Sequence, residues 1–323
     1  MKAVSLSLFA AAAFFTSVGA GTAAPDVVVS IKPVHSLVAS IMKGVGEPKL
    51  IVEGAASPHT FSLKPSDAAA IEKADVIFWV GPGFEAFLEK PLEALASSAA
   101  VIELEDAPGL EKLPFREGGA FEAHDHEHEG EEAHEHAEAG HADHDSHHHE
   151  DFDTHLWLDP MNAKAMAAEI EKTLVEADPA NAALYQANAA ALLKRIDDLD
   201  AELKTALQPV KDRPFIVFHD AYQYFEHRYG VSVAGSITVS PETMPGAERV
   251  KQIHKKVSEL GATCVFAEPQ FEPKLVRVVT EGTSARSGTL DPEAATLKEG
   301  PDLYFELMRG LAGSMKNCLS QGT

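Results

Sequence analysis

Two separate series of short apolar runs, each run followed by a segment with helical spacing, constrain this chain more than any other feature. The first series opens with "DVVVSI" at 26–31 and the helical "VHSLVASIMKG", then "KLIVEG", the helical "PSDAAAIEKA", the buried-strand pattern "DVIFWVG" and the helical "FEAFLEKPLEALAS". Strand-then-helix alternation builds parallel sheets, because parallel neighbours need a long crossover connection that a helix supplies. The second series starts at "FIVFHDAYQYFEHRYG", a strand leading into a helix stopped by Gly230, and runs through "VSVAGSI", "AERVKQIHKKVSELG", "TCVFAE", "EPKLVRVVTEG" and "SARSGTLDP". Between them lie two long helical stretches, 161–177 and 179–207, interrupted by "ADP". Asp159 caps the first and Pro160 takes its first position, where a missing N–H costs nothing. The expected fold is therefore α/β, two (βα) lobes with central sheets joined by a stiff helical connection. In such sheets ligands bind beyond the carboxyl ends of the strands, here in a cleft between the lobes.

The domain reading follows the same punctuation. Residues 1–24 carry a single Lys2, an apolar run and then small residues, the layout of a secretory signal peptide rather than a membrane span. The first lobe covers 25–160, the connecting helices 161–208 and the second lobe 209–323. The first lobe is interrupted at 117–151, where thirteen acidic residues occur with no Lys or Arg. Almost no large apolar residue lies between Phe121 and Phe152, so this segment is expected to be a disordered insertion. The formal net charge is -23, and much of that excess sits in the insertion. A basic face for nucleic acid is missing, whereas the charge suits metal cations. Cys264 and Cys318 are the only cysteines, and in an exported protein they most simply form one disulfide.

Ten of the sixteen histidines fall in the insertion: His124, His126, His128, His134, His136, His141, His144, His147, His148 and His149. Their spacing fixes no single geometry, and each binding event must order the chain. They read as an accessory, weaker and less selective metal-binding loop. Of the six outside it, His35, His227 and His254 sit on helical segments without partner spacing, and no HExxH occurs. His59, His155 and His219 differ. His59 follows the strand "KLIV", His155 precedes the helix that Asp159 caps, and His219 directly follows "FIVF", with Asp291 of "GTLDP" in the same kind of place. Three neutral imidazoles plus a carboxylate or water suit tetrahedral Zn2+, while an oxygen-rich set would point to manganese.

At "GAASPHTFSLKPSD", "THLWLDP", "FIVFHDAYQYFE", "CVFAEPQF" and "GTLDP" the chain resembles the cluster A-I solute-binding proteins of bacterial metal transporters. In particular it is similar to the periplasmic zinc-binding component of the high-affinity zinc ABC importer, over nearly the whole chain after the export segment. The resemblance implies two lobes on a long rigid backbone helix, with His59, His155 and His219 as ligands. Manganese-type relatives usually carry a glutamate at the third position, so His219 favours zinc. Some zinc relatives place a ligating glutamate just before the first histidine, where this chain has Pro58. The fourth place then falls to Asp291 or to water. Cys264 and Cys318 match positions of the family's disulfide.

The implied function is capture of Zn2+ in the periplasm and delivery to an ABC transporter membrane permease with its cytoplasmic ATPase, by a monomeric protein. Competing readings are a manganese or other divalent-metal carrier of the same family, and a periplasmic zinc buffer that uses the histidine run. An enzyme would use the same three-histidine zinc with Asp291 as its base, but it also needs an organic-substrate pocket that the sequence does not offer.

Overall fold

The computed structural model describes residues 24–116, 121, 152–238, 241, 244–261 and 263–320. Residues 1–23, where an export signal is expected, and all ten histidines of the acid-rich segment lie outside the described residues.

The first sheet has strands β1 (Val27–Val29), β2 (Lys49–Leu50), β3 (Val76–Trp79) and β4 (Ala100–Glu103), all parallel in the order β2-β1-β3-β4. Its crossover helices are α1 (Lys32–Ile41), α2 (Pro65–Lys73) and α3 (Ala86–Leu95). β1 and β3 are continuous apolar runs because helices cover both of their faces. Next come α4 (Pro160–Ala177) and α5 (Ala182–Leu207), and Asp159 caps α4 by accepting the Met161 N–H at 2.8 Å. The second sheet repeats the first, with β5 (Pro214–His219), β6 (Ser232–Thr238), β7 (Cys264–Ala267) and β8 (Arg286–Thr289) in the order β6-β5-β7-β8, again parallel. It is accompanied by α6 (Gln223–Tyr229), α7 (Ala247–Leu260), α8 (Lys274–Thr280) and α9 (Leu303–Leu319). Gly230 ends α6 at φ 66, a left-handed backbone that glycine adopts without a Cβ clash. β4 and α9 have no counterpart in the sequence reading. β4 is only partly buried and its "AVIE" gives no strong apolar run.

α5 packs on α1 and α4 beside the first sheet and on α9 beside the second. One continuous apolar cluster runs from Val27 through Trp157 and Leu199 to Phe215, Phe266 and Met308. Alternate β5 residues divide it from a second cluster: Phe215 and Val217 face the continuous core, while Ile216 and Phe218 join Ile253, Val265 and Val279 on the other face. The Cys264–Cys318 disulfide ties the start of β7 to α9 across 54 residues of chain. In each sheet the first strand lies beside both the second and the third, so the order reverses there. That switch point opens a crevice at the strands' carboxyl ends.

Candidate metal centre

His59 sits in a single 3-10 turn, Pro58–Thr60, which β2 delivers at its carboxyl end. Ser57 caps that turn by accepting the His59 N–H at 3.3 Å. His155 is held by Asp153, whose Oδ1 accepts the His155 backbone N–H at 3.0 Å and lies 2.8 Å from Nδ1. His219 is the last residue of β5, and both oxygens of Glu268, just past β7, lie 2.7 and 2.8 Å from its Nδ1. Tyr222 donates its hydroxyl to Glu268 at 3.3 Å. With Nδ1–H committed to a carboxylate, each of these two rings presents the lone pair of Nε2.

Among the described residues, the donor atoms of His59, His155 and His219 lie within 4.8 Å of one another. The Nε2 atoms of His155 and His219 are 3.3 Å apart. Tetrahedral zinc with Zn–N bonds of about 2.0–2.1 Å requires donors about 3.3–3.4 Å apart, so this pair already stands at the spacing of one edge. Phe84 and Trp157 wall the site: Phe84 meets His59 edge-on at 4.8 Å between ring centroids, and Trp157 lies 5.4 Å from His155. His155 and His219 are buried, and the His59 side chain keeps 14 % exposure. Of the three rings, His59 is the most exposed.

The electrostatics differ from ring to ring. Burial, together with the positive charge that His219 and His155 would carry, pushes the His59 imidazole well below its ordinary range and holds it neutral. Burial also opposes charge on His219, but the carboxylate of Glu268, helped by Asp220 and Asp153, reverses this and moves it upward. Burial and the like charges of Glu268 and Asp291 drive the Glu293 carboxyl well upward.

Asp291 and Glu293 share the loop after β8. Asp291 accepts the N–H groups of Ala295 at 3.0 Å and Thr296 at 3.2 Å, and so closes its own turn. Glu293 is the carboxylate that reaches His59, with Oε1 3.7 Å from Nε2. The sequence reading passed over Glu293, Glu268 and Asp153. Glu268 carried the signal that singled out His219, a position directly past a strand. The other three histidines outside the acid-rich segment have partners elsewhere: His35 Nε2 is 3.0 Å from the Pro48 carbonyl, His254 Nε2 is 2.9 Å from that of Glu281, and the exposed His227 ring stands 3.6 Å from the Glu111 carboxylate, beyond hydrogen-bond reach. Arg116, the last described residue before the acid-rich segment, pairs with Asp220 and Glu226 and so ties the end of the first lobe to the residue after His219.

Two parallel α/β lobes with three imidazoles converging from both of them define a two-lobed metal-binding protein. A family model described as the periplasmic component A of the zinc-uptake complex, ZnuA, matches residues 27–318, and the chain belongs to that family. It is 57 % identical over 339 residues to the high-affinity zinc uptake system protein ZnuA of Brucella suis biovar 1, covering 98 % of each chain. The same-named protein of Yersinia pestis is 37 % identical over 297 residues, covering 92 % of each. Among solved structures, a crystal structure of ZnuA superposes with a TM-score of 0.73 at 28 % identity, covering 91 % of this chain and 99 % of that one. A periplasmic zinc-binding protein of Treponema pallidum shares the fold, with a TM-score of 0.75 at 20 % identity over 91 % of this chain and 99 % of its own.

Proposed function

We propose that this chain binds Zn2+ in the periplasm at His59, His155 and His219 and delivers it to an ABC-type membrane permease whose cytoplasmic ATPase drives import. The observation that carries the reading is the convergence of three imidazoles with a 3.3 Å Nε2 pair, two of them oriented by carboxylates at Nδ1. An all-nitrogen trio favours zinc over manganese, which prefers oxygen donors. The protein is a carrier and not an enzyme: the ion is cargo, and no bond in a substrate is made or broken. Export by residues 1–24, a monomeric state and an accessory role for the histidine run belong to the same proposal. α5, which touches both lobes, is the backbone helix of this account and limits how far they can close.

Deleting residues 123–150 and titrating the protein with zinc in a calorimeter tests the division of labour. One tight equivalent survives the deletion and the weaker equivalents vanish. Loss of the tight equivalent would move the transport site into the histidine run.

A further inference from the structure

Two carboxylates stand on one short loop at the mouth of the site, and their surroundings assign them different work. Asp291 is saturated by its own neighbourhood. Its Oδ1 accepts from the Ala295 N–H at 3.0 Å and from Gln270 Nε2 at 3.2 Å, while Oδ2 accepts from the Thr296 N–H at 3.2 Å and hydroxyl at 3.4 Å. Glu293 is buried, with 6 % of its surface exposed. Its Oε2 holds one long bond from Gln270 Nε2 at 3.3 Å, and its Oε1 has no hydrogen-bond partner among the described residues. That free oxygen is the one 3.7 Å from His59 Nε2. Ionising a carboxyl removed from water with an unmatched oxygen is costly, and a divalent cation is a partner that offsets that cost.

The loop is held firmly enough to keep Glu293 there. Ala294, next in sequence, has φ 59, a left-handed conformation that an L residue with a side chain adopts at a cost. From one side the Lys32 ammonium, on α1 of the first lobe, donates to the carbonyls of Ala294, Ala295 and Leu297 at 3.2, 3.1 and 2.9 Å. From the other, Trp157 Nε1 donates to the Pro292 carbonyl at 2.9 Å. Strain fixed from both sides beside a buried acid is how a fold pre-positions a ligand.

We infer that Glu293 supplies the fourth zinc donor and that Asp291 is a positioning residue that shapes the loop carrying it; this rests on the three-histidine zinc reading. The donors of a tetrahedral ion form two opposite edges. His155 to His219, at 3.3 Å, is one edge, and His59 to Glu293, at 3.7 Å, is the other, close to the roughly 3.3 Å that zinc requires. Glu293 stands outside the cluster of nitrogens that lie mutually within 4.8 Å. Rotation of its side chain completes the tetrahedron, and the long bond from Gln270 is the one given up.

The test uses the full-length chain, Glu293→Gln and Asp291→Asn, each given one equivalent of Co2+ for visible absorption and titrated with Zn2+ against a chromophoric chelator. Glu293→Gln weakens zinc binding by at least about tenfold and changes the Co2+ ligand-field spectrum, as water or an amide oxygen replaces the carboxylate. Asp291→Asn keeps the wild-type spectrum. An unchanged spectrum and affinity in Glu293→Gln, or the change appearing in Asp291→Asn instead, overturns the assignment. A zinc-bound crystal structure of the wild type decides the matter should a variant misfold: a Glu293 oxygen about 2.0–2.2 Å from the ion supports the inference, and water or Asp291 there refutes it. If the wild type binds no tight equivalent, or His219→Ala keeps it, the three-histidine reading itself has failed.

Discussion

Replacing Glu268 by Gln separates the two tasks that its carboxylate performs on His219. Both oxygens lie within 2.8 Å of Nδ1, so the group orients the ring and places a full negative charge behind it. Gln keeps an oxygen that can accept the Nδ1–H, so orientation survives and charge is lost. Partners behind metal-ligating histidines are worth roughly 10–100-fold in affinity, and loss of charge alone should cost near the lower end, about tenfold or 1.4 kcal/mol. The pH dependence makes the prediction specific. Burial opposes protonation of His219, but Glu268 outweighs it, so in the wild type the proton competes with zinc at a higher pH than for an ordinary histidine, near 6.5. A carboxylate behind the ring stabilises the zinc-bound imidazole and the competing imidazolium alike. The variant should therefore bind about tenfold more weakly at pH 7.5, and the gap should narrow as pH falls to 5.5. Chelator-competition titrations at a series of pH values measure this. Equal affinities throughout, or a gap that widens in acid, would refute the reasoning.

Lys32→Met removes an ammonium from three loop carbonyls and leaves them buried without their donor. Because hydrogen bonds to a charged group contribute about 1.5–3 kcal/mol and do not add, a loss of roughly 2–3 kcal/mol in urea unfolding is expected. Reducing Cys264–Cys318, which closes a 54-residue separation, should cost about 4 kcal/mol on the chain-entropy model. Zinc affinity measured under native conditions should hardly change, because Cys264 begins β7 and Glu268 lies past its other end.

The sequence made the buried strands and His219 legible for one reason. A parallel strand buried on both faces is a dense apolar run, and the residue just past it is forced to the crevice. "FIVFH" states both facts in five letters, and "TCVFAE" states them for Glu268, although an acid behind a histidine is noticed only once the ring is seen. β4 escaped because partial burial leaves "AVIE" without a pattern. The choice between Asp291 and Glu293 could not be read from "GTLDPEAATL". That Glu293 stands nearer His59 goes with a left-handed backbone at Ala294 and with Lys32, more than 250 residues away in sequence, and neither is visible in those ten letters.

The central claim is that three histidines from two lobes form one tight zinc site. Calorimetric zinc titration of His59→Ala, His155→Ala and His219→Ala in the full-length chain tests it most directly. Each variant should lose the single tight equivalent while keeping the weaker binding of the histidine run. Wild-type tight binding in any one of the three would contradict the account.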